Sequence, residues 1–162
     1  LQEVYPGDPG VVIAALLNSV RLTAGEAAFL APGTVHAYLG GVAVEVMATS
    51  DNVLRAGLTP KLVDVDEFLR VARVEAAPPD LLRPREDGAY SDRTAEFSVV
   101  RHEGAHAVDV VGPAIVVCTG GRVTLGALVL QPGAGAFVPA AIGATTLVGA
   151  GTAFVATPGR AA

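Results

Sequence analysis

Between positions 34 and 61 the chain gathers one histidine, one tyrosine, two carboxylates and two cations: His36, Tyr38, Glu45, Asp51, Arg55 and Lys61. Imidazole and carboxylate side chains coordinate metals and move protons near neutral pH. Arginine adds a planar fork that matches phosphate or carboxylate, and lysine a compact point charge. Asp51 is placed to orient either cation. Elsewhere the sequence offers little that could react. His102 and His106 are spaced as a ligand pair on a helix, but Gly104 and the β-rich pattern around them argue against a helix, so they are not expected to bind metal. Cys118, next to Ile115-Val116-Val117, reads as a buried strand residue.

These side chains need elements to position them. Val35 to Leu39, Gly40-Gly41 and Val42 to Met47 read as a hairpin with a two-residue loop. That register sets His36 opposite Glu45 and Tyr38 opposite Ala43 on one face, with Leu39, Val42, Val44 and Val46 on the other. Opposed Cβ atoms lie about 4.5–5.5 Å apart. The His36–Glu45 pair could then coordinate metal, move protons, or serve only as a cross-strand ion pair. Gly57 and Pro60 mark the segment bearing Arg55 and Lys61 as a loop. Asp8-Pro9 reads as an N-cap with proline in the first turn, opening a helix to about Ala15. Leu16 to Leu22 and Ala27 to Leu30 read as strands. Asp64, with Glu67 three residues on, opens a second helix ending near Arg73.

At 162 residues the chain can hold one sizeable domain or two small ones. Its hydrophobicity comes mostly from Val, Ala and Leu among frequent glycines, and only 17% of residues are charged, so short packed strands are expected over helical bundles. A net charge of -5 gives no attraction to nucleic acid or anionic lipid. The uncharged run after Arg122 is broken by Pro132, Gly133, Gly135, Pro139 and Gly143, which disfavours a spanning helix, so no membrane partner is expected. A lone cysteine cannot form an internal disulfide and fits a reducing cytoplasm. The start at Leu1, inside what reads as a structured segment, is expected of a fragment. Residues 1–75 carry the site residues, 76–94 form a connector through Pro78-Pro79, and 95–162 hold six or seven short strands in a sandwich or barrel. An internal repeat is visible: Gly25, Phe29 and Leu30 align with Gly133, Phe137 and Val138, and His36 aligns with Ala144.

Gly25-x5-Ala31-x-Gly33-x2-His36 resembles a cupin motif. Tyr5-Pro6-Gly7-Asp8-Pro9-Gly10, Gly25-Glu26-Ala27, His36-Ala37-Tyr38-Leu39 and Ser50-Asp51-Asn52-Val53-Leu54-Arg55-Ala56-Gly57-Leu58-Thr59-Pro60-Lys61 resemble the type I mannose-6-phosphate isomerase family, in its C-terminal portion. The resemblance is strong to about Arg73 and weak beyond. It implies a mainly β, cupin-type jelly-roll fold with a few short helices. It also implies a zinc-dependent interconversion of mannose 6-phosphate and fructose 6-phosphate through a cis-enediol.

By the same resemblance His36 is a zinc ligand, Arg55 is the catalytic arginine and Glu45 is a candidate for the proton transfer. Tyr38, Asp51 and Lys61 line the substrate pocket. The family's other three ligands, a glutamine, a histidine and a glutamate, come from a preceding half with a Gln-x-His motif that this sequence lacks. One donor cannot hold zinc tightly. The chain alone is therefore expected to be inactive and to need the missing N-terminal half as its partner. A non-catalytic sugar-phosphate-binding cupin and a purely structural β-domain are the competing readings.

Overall fold

The computed structural model describes residues 1–50, 53–91 and 93–159. They fall into two compact units, one of Leu1–Leu22, Ala28–Ala43 and Thr49–Leu81, the other of Thr23–Ala27, Val44–Ala48 and the residues from Leu82 onward. No helix among the described residues is long and apolar enough to cross a membrane.

The second unit holds eight strands: β3 (Phe97–Gly104), β4 (Val108–Val111), β5 (Ala114–Gly121), β6 (Val123–Leu125), β7 (Leu128–Leu130), β8 (Gly135–Val138), β9 (Ala144–Val148) and β10 (Gly151–Pro158). They form two four-stranded sheets in the orders β3-β10-β5-β8 and β4-β9-β6-β7, and every pairing is antiparallel. The chain alternates between sheets at each step except β6 to β7, which is the jelly-roll wrapping expected of a cupin. The strand period of two is plain in β5, where Ala114, Val116 and Cys118 are buried and Ile115 faces out. Val110, Val123, Leu125, Leu130, Val138, Leu147, Ala153 and Val155 join them in one core. His102, on β3, is buried with them at 3% exposure.

The first unit is built differently. Helix α1 spans Gly10–Leu16 and α2 spans Val65–Val71. Both begin where the sequence signals them. Pro9 already has helical dihedrals, and Asp8 Oδ1 accepts from the Gly10 amide at 2.7 Å, so Asp8 is the working cap. Asp64 Oδ1 accepts from the Glu67 amide at 3.0 Å. Strands β1 (Ala27–Phe29) and β2 (Asp80–Leu82) make a two-stranded sheet.

Two expectations fail here. Leu16 to Leu22 forms no strand, since α1 consumes Leu16 and the rest has no ladder partner. The hairpin across Gly40-Gly41 is also absent: the chain bends at the glycines, but residues 35–39 and 42–47 form no strand. An isolated two-stranded hairpin is marginal unless one face is covered. Leu39 is 69% exposed and Val42 fully exposed, so burial does not hold the expected register.

The repeat persists in the backbone. Gly25 and Gly133 have φ of 89° and 87°, and Phe29 and Phe137 lie in β1 and β8. The copies part where Ala144 opens β9, while its counterpart His36 lies in backbone without a ladder.

Candidate active site

His36 is held from below by its own turn. The Thr34 amide donates to Ala31 O at 3.0 Å, and Thr34 bridges Arg73 in parallel fashion just after α2. The Arg73 amide donates to Gly33 O at 2.9 Å. Gly33 must be glycine for this approach: its φ is +82°, and a Cβ there would lie 2.8 Å from the Val71 carbonyl oxygen. From that anchor His36 Nδ1 sits 2.8 Å from Thr34 O. A carbonyl oxygen only accepts, so Nδ1 is the donor, and in the neutral ring Nε2 is the nitrogen with a lone pair for a metal. Metal-bound histidines are commonly fixed by such a backbone carbonyl. His36 is exposed, and its ring meets the Tyr38 ring edge-on, with centroids 5.7 Å apart at 64°. The two rings therefore still meet without the hairpin.

The cations lie on a loop that is anchored at its middle. Asp8 Oδ2 accepts from the Leu58 amide at 2.8 Å. Leu58 is the one non-glycine among the described residues with positive φ, at 54°. Gly57 has φ of 145°, and a Cβ on it would fall 2.6 Å from Asp8 Oδ1 and 3.1 Å from Gly10 Cα. Beyond, the Lys61 amide donates to Thr59 Oγ1 at 3.2 Å. Arg55 is half-buried and Lys61 exposed.

The structure thus brings His36 and Tyr38 together and carries Arg55 and Lys61 within the same unit. Glu45 belongs to the segment Val44–Ala48, which groups with the other unit. With no ladder across Gly40-Gly41, the register that set Glu45 opposite His36 is gone. Asp51 lies outside the described residues. Asp8 is the residue that sequence reading underrated: it reads as a helix cap and nothing more, because its second partner lies fifty residues away.

Outside this region His102 and His106 stack with centroids 4.8 Å apart at 55°. His102 lies on β3, in keeping with the strand reading. Both His102 ring nitrogens are buried, with the backbone of Gly104 and Gly149 as their nearest polar company. Burial first, and the neighbouring His106 second, push its pKa below 6.5.

No family model matches the chain. Mannose-6-phosphate isomerase of Escherichia coli is 41% identical over 163 residues, which cover 93% of this chain and 42% of that protein. The Cryptococcus neoformans protein of the same name is 47% identical over 136 residues, covering 75% of this chain and 31% of its own length. Among solved structures, mannose 6-phosphate isomerase from Salmonella typhimurium, bound to fructose 6-phosphate and zinc, superposes with a TM-score of 0.79 at 35% identity. That match covers 98% of this chain and 44% of the other. The chain therefore spans less than half the length of the relatives it matches. In sequence and in fold it is a relative of the mannose-6-phosphate isomerases, corresponding to a portion of their length.

Proposed function

We propose that this chain carries the part of a mannose-6-phosphate isomerase active site that holds the sugar phosphate and one corner of its zinc. An N-terminal portion of the same polypeptide supplies the rest. The observation that carries the reading is the bond from His36 Nδ1 to Thr34 O, which leaves Nε2 as the nitrogen for a metal, on an exposed ring beside Tyr38. Catalytic zinc takes three protein donors. Among the described residues no group of three or more His, Cys, Asp or Glu could hold a metal. His36 fits one corner of such a site, and the remaining donors belong upstream. Zinc bound there supplies a Lewis acid for the sugar carbonyl.

The chain's own residues supply the other functions. The isomerisation moves the proton on C2 of open-chain mannose 6-phosphate to C1, while the hydroxyl proton passes from O2 to O1; Glu45, on the segment that groups with the other unit, is the base proposed for it on the family resemblance alone. The enediolate formed between these steps carries negative charge on oxygen, and the Arg55 guanidinium stabilises it. Lys61 holds the phosphate, and Tyr38 lines the pocket; Asp51, which the family resemblance adds to them, lies outside the described residues. The reaction is placed in the cytoplasm, where the single Cys118 stays reduced.

The test is isomerisation of mannose 6-phosphate with added zinc, by this chain alone and by a chain extended to the length of its relatives. Turnover in the longer chain only is the expected result. Turnover by the short chain would overturn the division of the metal site. Sugar-phosphate binding without turnover in both would mark a non-catalytic binding module.

A further inference from the structure

We infer that Asp8 is a positioning residue for the cation-bearing loop, holding Arg55 and Lys61 where a sugar phosphate meets them. The inference rests on the reading of those two cations given under Proposed function. Both carboxylate oxygens of Asp8 are engaged: Oδ1 with the Gly10 amide at 2.7 Å and Oδ2 with the Leu58 amide at 2.8 Å. One side chain thereby ties the start of α1 to the loop.

The geometry at the tie leaves little slack. A Cβ on Gly10 would lie 2.9 Å from Asp8 Oδ1 and 3.0 Å from Leu58 Cγ, and one on Gly57 would lie 2.6 Å from Asp8 Oδ1. The two glycines let the loop backbone approach the helix start closely enough for the bond. Leu58 sits in the left-handed region at φ 54°, which a leucine does not adopt unless its surroundings impose it. The Asp8 bond to the Leu58 amide holds the backbone at this point.

Position explains why the tie serves the site. Arg55 lies three residues before Leu58 and Lys61 three after, so one bond at the midpoint limits both cations at once. A loop held in one conformation before substrate arrives loses less freedom on binding, and catalytic groups displaced by about 1 Å can cost a hundredfold in rate.

The deciding variant is Asp8→Asn in the chain extended to the length of its relatives. It is isosteric, but its amide can accept from only one of the two N–H groups and presents a donor to the other. We expect kcat/KM for mannose 6-phosphate to fall by about ten- to a hundredfold. Bound zinc should be unchanged, since His36 is anchored through Thr34 and Arg73, and exchange of the Leu58 amide hydrogen should accelerate. Gly57→Ala should act in the same direction, and the double variant should be no worse than the weaker single variant.

A role in folding alone would lower the melting temperature and leave kcat and KM of the folded enzyme as they were, which would overturn the inference. An unchanged Leu58 exchange rate in Asp8→Asn would overturn it as well. If the extended wild-type protein fails to isomerise mannose 6-phosphate, the functional reading falls instead. The exchange measurement, which needs no activity, then still decides whether Asp8 holds the loop.

Discussion

The two units of this chain differ in what holds them together. In the unit from Leu82 onward, two sheets close over Val110, Val116, Val123, Leu147 and their neighbours, and the polar groups are mostly peripheral. In the unit that carries His36, Tyr38, Arg55 and Lys61, Gly10 is the only buried residue among those described. Leu16, Leu62 and Val74 are more than 80% exposed there. That unit is thus held by hydrogen-bond ties, the Asp8 carboxylate to the Leu58 amide and Gly33 to Arg73, more than by burial. A site can be locally ordered by a few hydrogen bonds without having a core of its own, provided that other surfaces complete it.

The comparison makes a double dissociation testable. Arg55→Ala, in the extended chain, should lower kcat about a hundred- to a thousandfold, the usual loss when a preorganised stabiliser of developing negative charge is removed. Its thermal midpoint should stay with the wild type, because Arg55 supports no core. Steady-state kinetics beside a melting curve reads both. A large fall in stability would mean that Arg55 is structural and that the division is drawn in the wrong place.

Leu147→Ala reverses the pattern. Leu147 is fully buried on β9, and truncating a leucine in such a site costs about 2–5 kcal/mol through lost transfer energy and the cavity left behind. Denaturant unfolding of the chain alone should show the loss. In the extended protein the activity per folded molecule should be unchanged.

How much of this was legible depends on whether a feature is local. The alternation through Ala114, Ile115, Val116, Val117 and Cys118 announces a strand because its period is carried by adjacent residues, and β5 forms there. Asp8 and Asp64 announce helix starts for the same reason. The Gly40-Gly41 hairpin was illegible in the opposite sense: the turn signal is real, but a register needs one face buried, and nothing local says whether Leu39 and Val42 are covered. The Asp8–Leu58 bond was hidden because it joins segments fifty residues apart, and leucine is not a residue that advertises positive φ. Of the candidate site, the residue types were readable and the His36–Tyr38 face came through. The anchoring of His36 Nδ1 on Thr34 required coordinates.

His102 gives the second unit a pH dependence of smaller size. Its folded-state pKa lies below 6.5, chiefly from burial. Between the folded value and about 6.5 the unfolded chain binds more protons than the folded one, so stability rises with pH in that window. The contribution is fully present above about 6.5 and is lost as the pH falls below it. Melting temperatures of the chain from pH 8 to pH 5 should decline on the acid side, and His102→Leu should flatten that decline. A decline of the same slope in the variant would assign it to other groups.

The smallest expected effect is the sharpest test of the contrast between the units. Val42 is fully exposed, so Val42→Asn in the chain alone should move stability by less than about 0.5 kcal/mol, the range of ordinary surface changes. A valine with nothing against it loses no burial when it becomes polar. In the extended protein the same substitution should cost more, because burying a valine is worth about 1.5–3 kcal/mol and an unpaired amide is unfavourable in its place. Denaturant unfolding of both lengths, with and without the substitution, separates the cases. Equal and negligible effects would mean that the segment after His36 stays uncovered even in the longer protein. The segment from Val35 to Met47 would then have to be ordered by its substrate rather than by the rest of the chain.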